Sequence, residues 1–209
     1  MKNGRSRETG TRERVLSAAL AGFGRRGYDA TSLDALAGDL GVRKQTILYY
    51  FPSKDVLLEA VVDEAAGEMA SILTESLARP GTAWDRVEAI VRAVFRLAAR
   101  RPELLGLLRE ITRLGPPAAT RFASALGPLI DRATGFLEES MEKGELRRQD
   151  ARLLLLVAYS SVVGVATEVE VLRALGVEPT ARNLVRQRTA LLGFLRSALL
   201  PNDPMTGRH

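Results

Sequence analysis

The chain contains no cysteine among its 209 residues, and this absence excludes a disulfide framework, a thiolate metal site and a cysteine nucleophile. Its single histidine is His209, and no HExxH or GxSxG sequence occurs, so the common zinc and serine hydrolase centres are excluded too. We therefore expect no enzymatic activity, no cofactor and no metal site. A chain without cysteine fits the cytoplasm better than an oxidising compartment.

Long apolar runs are also missing. The longest run, at residues 153–166, is shorter than the roughly 20 residues that a membrane-spanning helix needs. The basic N-terminus is followed by no apolar stretch with a small-residue cleavage site, so it does not resemble a secretory signal. We therefore expect a cytoplasmic protein that does not enter a membrane.

Positive charge is concentrated at one end of the chain. The formal net charge is +5, and the surplus of basic over acidic residues within positions 1–26 already equals that value. A basic end joined to a neutral body indicates an acidic partner that is met through the N-terminal part. The alternative interpretation is a disordered, solvated arm.

Helical periodicity runs through nearly the whole sequence, and no segment alternates as a strand does. Thr31 followed by Asp34 has the spacing of a capping box, and Gly27 and Gly41 are placed to end helices. We expect an all-α fold of about nine helices, at about 11–26, 33–40, 43–50, 54–79, 84–100, 102–114, 117–143, 151–175 and 179–199.

The stretch from 33 to 50 has the spacing of a helix-turn-helix. Ala37 stands where the first helix must let the second approach, Gly41 follows where the turn needs a positive φ, and Ile47 lies inside the second helix. The outward positions of the second helix carry donors and flat surfaces that suit major-groove edges and phosphates: Arg43, Lys44, Gln45, Thr46, Leu48 and Tyr49.

Lys54 is an independent indication of an anionic partner. It falls in the first turn of the fourth helix, where the helix dipole disfavours a cation by up to about 1 kcal/mol. A lysine at this position is explained if a phosphate binds there to the ammonium and the free amides together. The alternative is a surface lysine near Asp55 or Glu59.

Residues 11–65 resemble the N-terminal domain of the TetR family of bacterial transcriptional regulators. The resemblance is carried by a specific combination of residues: Gly27, Tyr28, Thr31, Ala37, Gly41, Val42, Thr46, Tyr50, Phe51, Ser53, Lys54 and Leu57. It implies a homodimer whose two recognition helices enter successive major grooves of a palindromic operator. It also implies a small, often hydrophobic effector that binds the C-terminal half.

The resemblance also implies which residues contact DNA. Family contacts carry over to bases and nearby phosphates at Lys44, Gln45, Thr46 and Tyr49, and to the DNA backbone at Thr31, Ser32, Tyr50 and Lys54. The chain departs from the family at Leu48, where a tyrosine is common, and at Arg43, where a small capping residue is common. Leu48 is suited to a thymine methyl, and Arg43 to a phosphate or a guanine.

The C-terminal half carries no motif of comparable strength. Apolar residues on the helices that surround the regulatory cavity in the family are our candidates for effector binding: Trp84, Phe95, Leu108, Phe122, Leu126 and Tyr159. Small and apolar residues on the last two long helices are our candidates for the dimer interface: Ser160, Gly164, Leu184, Leu191 and Leu195. Ordinary core packing is the alternative interpretation of both sets.

These observations predict a flexible basic arm at 1–10, a helix-turn-helix DNA-binding domain at 11–55, a helical regulatory and dimerisation domain at 56–200 and a disordered tail at 201–209. The predicted function is a ligand-responsive repressor that a small effector releases from its operator. The alternative is a helical interaction or membrane-surface protein without sequence-specific DNA binding. It would need a broad amphipathic face on the first helix.

Overall fold

The computed structural model describes residues 3–167, 169–178 and 180–201. These residues form ten α-helices and no strand, which confirms the expected all-α class. The helices are α1 (Asn3–Arg26), α2 (Leu33–Leu40), α3 (Lys44–Tyr50), α4 (Lys54–Leu77), α5 (Ala83–Arg100), α6 (Pro102–Leu114), α7 (Ala118–Glu142), α8 (Ala151–Thr167), α9 (Val169–Ala174) and α10 (Ala181–Leu199).

The helix bounds differ from the expected ones by more than two residues at two places. Helix α1 begins at Asn3, so most of the segment 1–10 has a helical backbone where we expected a flexible arm. The intrinsic helix propensity of this segment, which includes Gly4 and Gly10, does not explain the extension. The expected helix at 151–175 is divided into α8 and α9, and residue 168 between them lies outside the described residues, as do residues 202–209 of the expected tail.

The first of two compact units comprises residues 3–69 and 101–126. Its core contains large apolar side chains from α1, α2, α3, α4 and the turn between α3 and α4, all at most 2 % exposed: Val15, Leu20, Phe23, Leu36, Ile47, Phe51, Leu57 and Val61. The apolar stripe of α1 is therefore covered by its own chain. This burial removes the face that the membrane-surface alternative requires.

Helices α1 and α6 cross at two glycines in the first unit. A Cβ built on Gly24 would overlap the backbone carbonyl of Glu103, and a Cβ built on Gly106 would overlap the carbonyl of Gly24. The two backbones therefore touch directly, and no other residue type fits either position without a backbone shift. Helix α6 is thus held tightly against α1.

The second unit comprises the described residues of 70–100 and 127–201. Its core is built from α5, α7, α8 and α10 and includes Val91, Phe95, Leu137, Met141, Leu146, Leu154, Leu191, Leu195 and Leu199. Thr180 caps α10 by accepting a hydrogen bond from the Asn183 amide at 3.2 Å. Among the described helices, none combines the length and apolar character that crossing a bilayer requires.

Candidate nucleic-acid interface

The turn between α2 and α3 has the geometry that the sequence predicts. Gly41 ends α2 with φ 66°, and the amides of Gly41 and Val42 donate to the carbonyls of Gly38 and Ala37 at 3.1 and 3.0 Å. Ala37 is buried and Ile47 of α3 is fully buried. The two helices therefore meet as a helix-turn-helix, with one face of α3 packed inward.

The opposite face of α3 is open to solvent. Arg43 precedes the helix in an extended conformation and makes no side-chain capping bond, and Gln45 is exposed. Tyr49 is 73 % exposed, the highest value for a large aromatic side chain in the described part of the chain. Exposing a tyrosine to this extent gives up apolar burial, and such a residue is typical of a binding surface.

Three adjacent aromatic residues occupy three environments at the end of α3. The Tyr49 ring meets the Tyr50 ring edge-on, with centroids 5.0 Å apart and an interplanar angle of 81°. Tyr50 is half-buried, and Phe51 is 2 % exposed. Thr46 and Leu48 are half-buried, so they border the open face rather than project from it.

Lys44 lies at the start of α3 and is paired within the chain. Its ammonium is 2.8 Å from the Oδ2 atom of Asp34 in α2. The Asp34 side chain is exposed and the Lys44 side chain is partly exposed, and an ion pair at the surface contributes little to stability. Lys44 can therefore exchange Asp34 for another anion at small cost.

Thr31 and Ser32 have different environments although they are adjacent. The Thr31 side chain is fully buried, and its hydroxyl donates to the Gly27 carbonyl at 2.9 Å. Ser32 is exposed and caps α2 by accepting a hydrogen bond from the Ala35 amide at 3.1 Å. The expected capping role of Thr31 is therefore wrong, and its hydroxyl does not reach the surface where we expected it to contact the DNA backbone.

Lys54 lies at the start of α4 beside Tyr28. Its ammonium is 4.1 Å from the centroid of the Tyr28 ring, and the Tyr28 hydroxyl donates to Oδ1 of Asp55 at 2.5 Å. Ser53 caps the helix by accepting a hydrogen bond from the Val56 amide at 3.1 Å. Burial, assisted by Asp55, raises the pKa of Tyr28 well above its usual value, so its hydroxyl remains a donor at neutral pH.

Two residues near this surface were missed as site residues from sequence. The guanidinium of Arg12 in α1 lies 5.3 Å from the Phe51 ring centroid, which places a further cation beside the end of α3. Tyr28 matched the family pattern, but nothing in its neighbourhood in sequence predicts the contact with Lys54. Both contacts join residues more than 20 positions apart, so local periodicity carries no signal for them.

The candidate effector residues are distributed over both units. Phe95 and Leu108 are buried in the cores of the second and first unit respectively, and Phe122 is buried as well. A cavity of about 260 Å³ in the first unit is lined by Tyr28, Asp55, Leu58, Glu59, Val62, Leu114, Gly115, Pro117, Ala118 and Arg121, and by none of the six candidates. Phe95 and Leu108 therefore act as core residues in this structure.

Three of the candidate effector residues keep accessible surface. Trp84 is half-buried, and the Arg196 guanidinium lies 5.8 Å from its ring. Leu126 is half-buried, and Tyr159 is exposed although burial of its hydroxyl end raises its pKa. These three remain available to a ligand.

The candidate dimer residues are divided between core and surface. Leu191 and Leu195 are buried in the core of the second unit, and Leu184 packs against that core, so this stripe of α10 is covered within one chain. An apolar stripe is covered first by neighbouring helices of its own chain, and here α5 and α8 do so. Ser160 is exposed, and a Cβ on Gly164 would meet no atom within 4 Å.

Different apolar residues of α8 and α10 face solvent. They are exposed on the surface of the second unit: Leu153, Leu156, Val157 and Tyr159 of α8, and Val185 and Phe194 of α10. Leu153, Leu156 and Val157 share one side of α8, whereas Val185 and Phe194, nine positions apart, lie on opposite sides of α10. We call Leu153, Leu156, Val157 and Phe194 the exposed apolar face. The helices expected at the dimer interface therefore do present apolar surface, but on other residues than Leu191 and Leu195.

Comparison with known proteins agrees with the helix-turn-helix geometry. Residues 15–61 match the family model described as bacterial regulatory proteins, tetR family. The chain is 31 % identical to the uncharacterized HTH-type transcriptional regulator YdeS of Bacillus subtilis over 153 residues, which is 70 % of this chain and 72 % of that protein. It is 29 % identical to the HTH-type transcriptional repressor KstR of Rhodococcus jostii, over 73 % of this chain and 71 % of that protein.

The fold is also found in solved structures. A putative transcriptional regulator from Saccharomonospora viridis, solved in complex with choline, superposes with a TM-score of 0.77 at 19 % identity and covers 93 % of this chain and 100 % of that one. The helix-turn-helix geometry, the family match and the similarity to YdeS agree, and they identify the chain as a member of the TetR family of bacterial DNA-binding transcriptional regulators, a family of regulators rather than enzymes.

Proposed function

We propose that the chain is a homodimeric repressor that binds a palindromic operator through α3 of each subunit and is released by a small, apolar effector. One observation carries the proposal. The first unit presents Gln45 and Tyr49 on the open face of α3, and exposed Arg43 directly before the helix. Donors and an exposed ring on a helix of this kind suit the edges of bases in a major groove.

The proposed DNA contacts fall into two classes. Gln45, Thr46 and Tyr49 contact base edges, Leu48 contacts a thymine methyl, and Arg43 contacts a guanine or a phosphate. Contacts to the DNA backbone come from Ser32, Lys44, Tyr50 and Lys54. We leave Thr31 out of this set because its hydroxyl is buried and bonded to Gly27.

The proposed dimer forms by packing the exposed apolar face against the same face of a second copy. A two-fold axis pairs identical surfaces, and α8 and α10 from two chains then make a four-helix bundle. Gly164 and Ser160 support this arrangement because small residues on α8 allow a second α8 to approach closely. Two operator half-sites about 34 to 36 Å apart then match the two α3 helices.

The proposed effector acts on residues 56–200, the regulatory and dimerisation segment, while residues 11–55 bind DNA. Trp84, Leu126 and Tyr159 are our individual candidates for effector contacts, since each keeps accessible surface. The S. viridis regulator was solved with choline, and KstR is named a repressor, which supports ligand binding and repression in this family. Effector binding tilts α4 and changes the separation of the α3 helices, for which a coupling free energy of a few kcal/mol is enough.

Selection of operator fragments from genomic DNA tests the proposal. The cytoplasmic dimer should enrich a palindrome, and its affinity should fall steeply as salt rises while its preference for that palindrome persists. Genes beside the selected site would indicate the chemistry of the effector. Enrichment of no common sequence would overturn sequence-specific regulation, and binding to anionic vesicles without operator preference would favour a membrane-surface role.

A further inference from the structure

Tyr28 is the residue at which three helices of the first unit meet. It follows Gly27, which ends α1 with φ 87°, and its ring packs against Phe23 with centroids 5.4 Å apart. Toward α4 the ring lies beneath the ammonium of Lys54, and toward α6 the backbone amide meets Glu110. One residue therefore contacts α1, α4 and α6.

The Tyr28 ring restricts the position of Lys54. A lysine has four rotatable side-chain bonds, and at the first turn of a helix the dipole repels its ammonium. The ring face at 4.1 Å attracts the ammonium and selects conformations in which it stays near the end of α4. The half-buried side chain remains accessible to a phosphate.

The Tyr28 hydroxyl engages the other charged residue of this turn. It donates to the carboxylate of Asp55, which follows Lys54 directly. The bond anchors the ring at its far end, so the ring is held both by the Phe23 contact and by α4 itself. The ring orientation that supports Lys54 is therefore defined by contacts on two helices.

Glu110 of α6 holds the backbone of Tyr28. Glu110 is 8 % exposed, and its carboxylate accepts a hydrogen bond from the Tyr28 amide at 2.6 Å. Arg113 donates to both carboxylate oxygens at 2.8 and 2.7 Å, and it also reaches Asp29 at 2.8 Å. These bonds fix the residues on either side of the ring to α6.

Helix α6, which carries Glu110, packs directly against the backbone of α1. The two backbones touch at Gly24 of α1 and Gly106 of α6. Gly24 is only three residues before Gly27, which ends α1. A shift or rotation of α6 therefore displaces Glu110 and the turn at Tyr28 together. The Lys54 ammonium lies over the Tyr28 ring and is displaced with it.

We propose that Tyr28 is a positioning residue for operator binding, which holds Lys54 in place for a DNA phosphate and is itself held by Glu110 of α6. The inference rests on the proposed function, in which Lys54 contacts the operator backbone. It adds a specific route by which the position of α6 sets the strength of that contact.

A double-mutant cycle on the full-length protein, with the operator duplex obtained by genomic selection, tests the inference. Lys54→Gln should weaken operator binding at least tenfold and make the slope of log K against log salt less negative by about 1.8, because the dimer loses one phosphate contact in each of its two subunits. Tyr28→Leu should weaken binding about two- to fivefold in the wild-type background and have no effect in the Lys54→Gln background. Tyr28→Phe keeps the ring, so it should weaken operator binding less than Tyr28→Leu does.

Helix α6 supplies a matched pair of variants. Glu110→Gln should weaken operator binding in the wild-type background and not in the Lys54→Gln background. Glu103→Gln is the control, because Glu103 is a carboxylate of the same helix that pairs with Arg101 and Arg25 and does not contact Tyr28. It should leave the affinity unchanged.

The outcomes separate the two hypotheses. If Tyr28→Leu or Glu110→Gln weakens operator binding equally in the wild-type and the Lys54→Gln backgrounds, the effect is a general structural one. That result would overturn the positioning role and leave the proposed function standing. An unchanged salt slope and affinity in Lys54→Gln would overturn the phosphate contact and this inference together. If Tyr28→Leu does not fold, Tyr28→Phe and Glu110→Gln decide the result by the same comparison.

Discussion

Tyr49 and Tyr50 are neighbours in sequence whose rings meet edge to face with centroids 5.0 Å apart, yet Tyr49 is 73 % exposed and Tyr50 is half-buried. Tyr50 supports the ring of Tyr49 from the core side. The exposed ring is therefore held in place before DNA is bound, and this preorganisation lowers the entropy cost of binding.

Tyr49→Ala should weaken operator binding about tenfold or more, because a good contact to a base edge contributes about 1–3 kcal/mol. The exposed side chain contributes little to folding, so the thermal midpoint and the dimer should be unchanged. Electrophoretic mobility shift with the selected operator, together with size-exclusion chromatography and light scattering, measures both. Loss of the dimer in this variant would contradict the placement of Tyr49 on the DNA face.

Asp34→Asn should strengthen operator binding. The change removes a negative charge close to the proposed DNA surface and frees Lys44, which is 2.8 Å from Asp34 in the free protein. The gain should be largest at low salt and shrink as salt rises, because the effect is electrostatic. Asp39→Asn on the same helix, whose carboxylate pairs with Arg26 at 3.8 Å, is the matched control and should change affinity less.

Gly106→Ala should destabilise the protein by about 1–3 kcal/mol, since the added Cβ overlaps the Gly24 carbonyl and the backbones must separate. Gly67→Ala is the control. A Cβ at Gly67, within α4, would meet no atom within 4 Å, so this variant should be more stable than the wild type by about 0.4–1 kcal/mol. Urea denaturation of both variants measures the change in the free energy of unfolding. A stabilised Gly106→Ala variant, like Gly67→Ala, would contradict the tight crossing of α1 and α6.

Phe194→Glu should convert the proposed dimer to a monomer. Phe194 is 62 % exposed within one chain, and a charge at this position would be buried without a partner in the dimer. Ser124→Glu adds the same charge at an exposed position of α7 outside the exposed apolar face and should leave the dimer intact. Light scattering gives the mass of each variant, and a dimeric Phe194→Glu protein would place the interface elsewhere.

The stability of the protein should fall in acid partly through Glu110. Hydrogen bonds from Arg113 hold the pKa of Glu110 below its usual 4.5, although burial opposes them. A depressed folded pKa means that this contribution is complete above about pH 4.5 and is lost as pH falls through the lower folded value. Glu110→Gln should show a smaller decrease in the free energy of unfolding over this range, measured by urea titration, and an unchanged decrease would contradict the assignment.

Local features of the fold were predictable from the sequence. The spacing of Ala37, Gly41 and Ile47 predicts the helix-turn-helix because all three act within one turn and its two flanking helices. Burial of Phe51 and exposure of Tyr49 follow from the same helical geometry. The side of α3 that faces solvent is therefore determined by residues fewer than fifteen positions apart.

Other features depend on contacts that the sequence does not reveal. Thr31 and Ser32 are both suited to cap α2, and only the backbone conformation at the turn decides which hydroxyl is buried. Helix α10 has apolar residues on two faces, and packing with α5 and α8 decides that Leu195 is buried while Phe194 is exposed. Tyr28 and Glu110 are 82 positions apart, so no local pattern indicates their hydrogen bond.

The crossing of Gly24 and Gly106 bears on how the DNA-binding segment could be cut out or exchanged. A fragment that ends after α4 would lack α6, and the side of α1 around Phe23 and Gly24 would then be open to water. Recombination that joins this helix-turn-helix to another regulatory half would therefore have to bring α6 with it. The compact unit that contains the helix-turn-helix is therefore not continuous in sequence, because it includes residues 101–126 together with the N-terminal helices.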